Sequence, residues 1–123
     1  MGPEPARDRR GRAGWEAMYQ LCFYVPESHA ESVKEAVFAA GAGRIGDYAA
    51  CAWQVLGDGQ FRPGPGSRPF VGAEGRLERV PELRVEMVCD DAFIAGAIEA
   101  LRAAHPYEEP AYHYWRVNEP LPD

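Results

Sequence analysis

No run of residues in this 123-residue chain approaches the roughly 20 consecutive apolar positions of a membrane span, and no apolar segment follows the N-terminal arginines as an export leader requires. Positive charge is in short supply: 13 Lys and Arg against 19 Asp and Glu leave −6 at pH 7, which argues against a protein whose main task is holding phosphate backbones. Cysteine is limited to Cys22, Cys51 and Cys89, an odd number in apolar, strand-like contexts. Reduced thiols in a cytoplasmic protein are therefore expected, without a disulfide framework and without a membrane. The length allows one domain with a real core and leaves nothing for a second, catalytic one.

Several chemical signatures are missing too. No CxxC or HxxxH spacing marks a metal site, and neither GxxxxGK[ST] nor GxGxxG marks a nucleotide loop. Ser67 has no evident base beside it, and each cysteine stands where a small buried thiol is the usual explanation. Tyr112 and Tyr114 would suit base stacking on an open sheet, but the aromatic signature of RNA-recognition domains is absent and the net charge has the wrong sign. Nucleic acid is thus a minor alternative partner.

What is present is ordered around residues 57–75, which hold six glycines and three prolines yet include Phe61, Phe70 and Val71. A flexible polar linker has no need of such side chains, so a long ordered loop between two strands is expected. On either side of it the periodicity is regular. Residues 1–17, with Arg7, Arg9, Arg10 and Arg12 among Pro, Gly and Ala, read as a disordered basic tail. From Met18, Tyr19, Leu21, Phe23 and Val25 alternate with Gln20, Cys22 and Tyr24 as a first strand stopped by Pro26. Ser28 with Glu31 predicts a capping box for a helix carrying Val33, Ala36, Val37 and Ala40, closed by Gly41.

Residues 48–56 predict a second strand, and Leu83, Val85, Met87 and Cys89 a third. Asp90 or Asp91 then caps a helix with the stripe Ile94, Ala97, Ile98 and Leu101, ended by His105 before Pro106. Residues 111–117 predict a fourth strand, and 118–123 a short tail. The order β-α-β-β-α-β is the ferredoxin-like, α+β pattern, spanning 18–117. Two helices cover one sheet face only. The other is expected to show Cys22, Tyr24, Val88, Tyr112 and Tyr114, apolar enough to predict self-association as a homodimer or homotrimer.

Two groups of residues are candidates for chemistry. In the glycine loop, Arg62 and Arg68 offer charge to a small ligand or ion, while Gly59, Phe61, Pro63 and Phe70 suit a loop that anchors on a neighbouring subunit. Beyond the second helix, His105, Tyr107, Glu108 and Glu109 form the densest polar cluster, and His105 with Glu108 is the candidate pair for a divalent metal or for acid–base work. Adjacent glutamates point in different directions, and a histidine at a helix C-terminus also serves the free carbonyls there.

The motifs GAGRIGDYAACAW, GDGQFRPGPGSRPFVGAEGRLERVPELRVEMV and HPYEEPAY occur in this order. Together they resemble the inserted PII/CutA-like domain of the dinuclear-metal-centre hexameric proteins, the family of yeast interacting factor three and bacterial YqfO. The resemblance rests on Gly43, Ile45, Gly46, Tyr48 and Cys51, on Gly59, Phe61, Arg62, Pro63, Pro69, Gly72, Gly75 and Glu78, and on His105, Pro106, Tyr107, Glu108, Glu109 and Tyr112. It implies a PII/CutA-like fold with a long β2–β3 loop, and self-association. The chain departs from the family pattern in GPGSRPF between the loop arms and in His113. In full-length relatives the metals and the type-two GTP cyclohydrolase label belong to flanking domains whose motifs have no counterpart here, so the resemblance carries no metal site and no such activity to this chain. A non-catalytic, self-associating module that binds a small ligand or ion at a subunit boundary is expected; a metal-dependent hydrolase accessory subunit using His105 and Glu108 or Glu109 is the alternative.

Overall fold

The computed structural model describes residues 18–118; the segment 1–17 and residues 119–123, expected to be tails, lie outside the described residues. Strand β1 (Met18–Pro26) runs through a single 3-10 turn into helix α1 (Ala30–Ala39), and β2 (Trp53–Phe61), β3 (Glu78–Asp90), helix α2 (Asp91–Ala104) and β4 (Tyr112–Val117) follow. The four strands form one antiparallel sheet in the order β2-β3-β1-β4. This is the ferredoxin-like α+β arrangement expected from the alternation of strand and helix periods.

The core follows from those periods. Leu21, Phe23 and Val25 of β1 with Val85, Met87 and Cys89 of β3 point at one face, where Val33 and Val37 of α1 and Ile94, Ala97 and Leu101 of α2 meet them in a single buried cluster. Burial also pushes the Cys89 thiol up to about 11, aided by Asp90, so this sulfur is an inert core group. Helix α1 ends in a left-handed cap: Gly41 has φ 114°, its N–H donates to the Phe38 carbonyl at 3.0 Å, and Ala42 N–H reaches the Val37 carbonyl at 3.3 Å.

Four local expectations require correction. Ser28 does not cap α1: it lies in the 3-10 turn with its Oγ 2.8 Å from His29 Nδ1, and His29 takes the N-cap position. Glu31 pairs with Lys34 at 2.7 Å instead of reaching back. The tight turn that follows Pro26 postpones the helix, and that moves the cap. The second strand spans Trp53–Phe61 and not 48–56, and β3 begins as early as Glu78. Residues 44–52 are irregular, pinned where Gly43 N–H donates to the Val88 carbonyl and Cys51 N–H to the Gly43 carbonyl, each at 2.8 Å. Gly57 and Gly59, expected in a loop, sit in the β2 ladder opposite Glu82 and Val80. An edge strand tolerates such glycines because it need not fill an interior face.

The fourth correction concerns the phase of β4. Tyr114 pairs with Leu21 and Tyr112 with Phe23, so Tyr112, Tyr114 and Arg116 share the helix side of the sheet. Tyr112 packs on the core, and Tyr114 meets the Tyr19 ring edge-on at 5.8 Å. The open face carries His113 and Trp115 instead, with Tyr24, Cys22, Arg84, Glu86, Val88, Trp53 and Val55. Both alternate sets of β4 are aromatic, so a period of two does not reveal which one faces inward. With Tyr112 and Tyr114 on the helix side, the stacking platform imagined for RNA is not formed by that pair.

Candidate functional site

The segment left between β2 and β3, residues 62–77, folds back on itself. Gly75 N–H donates to the Pro63 carbonyl at 2.8 Å across its base, while Ser67 N–H and Oγ both reach the Gly64 carbonyl, at 3.2 and 2.6 Å. Pro63 is buried, and Gly72 has φ 92° where Glu78 lies against it, a position that a side chain would crowd. The loop is thereby shaped by its own turns and by the start of β3.

The segment that follows helix α2 supplies the opposite wall. His105, 6% exposed, leaves the helix in extended geometry (φ −70°, ψ 135°) because Pro106 follows it. Its Nε2 lies 2.7 Å from the Tyr24 carbonyl oxygen, and its Nδ1 accepts the Tyr107 N–H at 3.1 Å. Since a backbone N–H only donates, Nδ1 is the unprotonated nitrogen and Nε2–H donates to Tyr24; the ring is neutral. Burial lowers its pKa from 6.5, an effect opposed by the Tyr24 carbonyl and Glu82 and reinforced by His29.

The locked histidine turns Tyr107 outward. Its phenol donates to Glu82 Oε2 at 2.8 Å, and burial first, then this carboxylate, holds it well above the usual tyrosine range. Its ring meets Phe61 at 5.9 Å and Phe70 at 6.3 Å between centroids, and Phe70 also stands edge-on to His29 at 5.3 Å. One residue on, Glu108 Oε1 accepts the Arg68 N–H at 2.9 Å. The glycine loop and the HPYEEP segment, identified separately from the sequence, therefore close on each other within one chain.

Between them lies a cavity of about 420 Å³. Phe61, Pro63, Pro69, Phe70, Val71 and Tyr107 form its apolar walls; Gln60, Arg62, Ser67, Glu82, Glu108 and Glu109 supply polar groups. Of the expected ligand residues, Arg62, Tyr107, Glu108 and Glu109 line it. Arg68 contributes a backbone N–H to Glu108 and does not line it, and His105 stands behind Tyr107. Gly59 lies outside it, in the ladder, where the Glu82 side chain crosses over it so closely that a Cβ would collide with the carboxylate. Glu82 is the site residue that the sequence did not flag. It sits in β3 two residues before Arg84 in an ordinary alternation, and only the missing side chain at Gly59 hints that something passes there.

A divalent metal does not suit these residues. Both His105 nitrogens are already hydrogen-bonded within the fold, and among the described residues no group of three or more His, Cys, Asp or Glu is placed to hold a metal ion. Among the described residues, too, no helix is long and apolar enough to cross a membrane.

No family model matches the chain. A GTP cyclohydrolase 1 type 2 homolog from Mycobacterium leprae is 50% identical over 110 residues, which are 89% of this chain and 29% of that protein. The chain thus spans less than a third of the curated relative. A Bacillus cereus protein related to NIF3 superposes with a TM-score of 0.72 at 38% identity, over 85% of this chain and 26% of that one. CutA from Xylella fastidiosa superposes with a TM-score of 0.59 at 21% identity, over 85% of this chain and 86% of that one, a likeness of fold alone. Agreement in sequence and in backbone makes this chain a homologue of one segment, less than a third, of the GTP cyclohydrolase 1 type 2 homolog and of the protein related to NIF3, and its fold is the CutA-like ferredoxin fold.

Proposed function

We propose that the chain is a non-catalytic, self-associating CutA-like module that binds a small ligand in the cavity between its glycine loop and its HPYEEP segment. The observation that carries this reading is the meeting of those two motifs, 40 residues apart at the Arg68–Glu108 hydrogen bond, around an aromatic cavity of about 420 Å³. A volume of that order, with apolar walls and a few convergent polar groups, is what small-molecule sites have in common. The neutral, fully engaged His105 supports a positioning role for it and gives no support to acid–base chemistry. The cyclohydrolase name belongs to much longer relatives, and the proposal does not extend it to this chain.

The test is a two-dimensional NMR titration with a mixed set of small acids, amines and neutral aromatics. Shifts concentrated at Phe61, Phe70, Tyr107 and Glu108 are expected. Shifts scattered over the surface, or none, would refute a ligand site here.

Self-association rests on a separate feature. Trp53 is 58% exposed, Val55 45% and Trp115 41%, all on the sheet face that no helix of the described residues covers, and among those residues β2 has no strand on its outer edge. An apolar face beside an open edge favours a second copy of the chain. Light scattering at micromolar concentration is expected to give a dimer or trimer mass, and a monomer mass would refute it.

A further inference from the structure

The charge and wall chemistry of the cavity go further than its shape. Among the described residues three carboxylates, Glu82, Glu108 and Glu109, line it against the one guanidinium of Arg62, so acidic groups outnumber basic ones in the lining. Phe61 and Phe70 both meet the Tyr107 ring, with centroids 5.9 and 6.3 Å from it, so three aromatic rings gather in the lining. Tyr107 fixes Glu82 Oε2 and the Arg68 N–H fixes Glu108 Oε1, yet each carboxylate retains lone pairs beyond those single bonds.

Two ligand classes fit poorly. An anion would face the carboxylates, and the backbone N–H of Arg68 that might have received it is already given to Glu108. A small hard metal ion needs several oxygens converging on one point, and no such cluster exists among the described residues. A spread positive charge on an apolar body fits both kinds of wall at once, because ring faces attract a cation while carboxylates balance it.

Resting on the ligand-cavity reading above, we infer that this cavity takes a small organic cation, an aryl- or alkylammonium class of ligand, seated among Phe61, Phe70 and Tyr107 and balanced by Glu82 and Glu109. Glu82 is the inner counter-charge, held in place by the Tyr107 phenol and accommodated by the absent side chain of Gly59. Glu109 lies at the exposed rim.

The experiment compares benzyltrimethylammonium, benzyl alcohol, benzoate, inorganic phosphate and magnesium as probes of the whole chain, by calorimetry and by the NMR shifts of Phe61, Phe70 and Tyr107. The ammonium is expected to bind at least roughly tenfold more tightly than benzyl alcohol or benzoate, the size of a favourable cation–π contact. Glu82→Gln and Glu109→Gln should each weaken it several-fold, while Glu99→Gln, an exposed charge change on α2, leaves it unchanged. Should Glu82→Gln disturb the fold, Glu109→Gln, at an exposed position, still decides. Equal binding of benzyl alcohol, or tighter binding of benzoate or phosphate at these rings, would overturn the cation class while leaving the cavity reading standing. Magnesium binding at Glu82 and Glu109 would overturn it likewise. Silence of all five probes at these rings overturns both.

Discussion

The two faces of the sheet carry large apolar side chains in similar measure, and one of them is sealed over its central strands, although Leu56 and Tyr114 at its edges stay 55% and 48% exposed. On the helix side Leu21, Phe23, Val25 and Val85 are 0% exposed, whereas on the other Trp53 and Trp115 remain 58% and 41% exposed. Hydrophobic content alone does not make a core; a covering layer does. Cys22 sharpens the point: it lies on the open face but is 0% exposed, because it sits mid-sheet between Glu86 and His113, where its neighbours shelter it.

Breaking the sealed face should have the largest effect. Phe23→Ala removes a fully buried ring beneath both helices and is expected to cost about 3–5 kcal/mol in urea unfolding. A loss under about 1 kcal/mol would mean that the face is not close-packed. Buried His105 comes next. His105→Gln strips the Tyr24 carbonyl and the Tyr107 N–H of their partner and should cost about 1–3 kcal/mol.

The same residue sets a pH dependence. Burial lowers its folded pKa below 6.5, so the unfolded chain takes up the proton first and stability rises with pH across that interval. Its contribution is complete above about pH 6.5 and is lost as pH falls through the folded pKa. Urea midpoints measured from pH 7.5 to 5 should therefore drop, and less steeply in His105→Gln; equal slopes would contradict the neutral-ring assignment.

Tyr107→Phe keeps the ring and deletes one hydrogen bond to Glu82, for an expected loss of about 1 kcal/mol. The smallest effect on unfolding belongs to the open face. Trp53→Ser should change monomer stability by less than about 0.5 kcal/mol while lowering the scattering mass of the associated form. A large stability loss would show that this face is sealed within the monomer after all.

Much of this architecture was legible because helices and central strands advertise their periods. The stripe Ile94, Ala97 and Leu101 and the alternation Leu21, Phe23, Val25 lead directly to the buried cluster. Of β2 only the part up to Leu56 was legible, since Gly57 and Gly59 carry no pattern and only the ladder to Glu82 and Val80 makes them strand residues. The phase of β4 was hidden because both sides carry aromatic rings, tyrosines on one and histidine and tryptophan on the other. For the site, each wall was visible alone, as an aromatic glycine loop and as a polar HPYEE run. Their closure depends on Tyr107 turning outward from a histidine whose two nitrogens are taken, which is a fact of three dimensions.

Strand β1 lies inside the sheet, zipped to β3 from Met18 to Pro26 and to β4 from Met18 to Phe23. To release the backbone there, two seams must part together and the helices must lift away. Deuterium uptake should accordingly be slowest through the middle of β1 and should track whole-molecule unfolding, while the outer edge of β2 frays on its own clock. The strand that begins the fold is thus its last to let go.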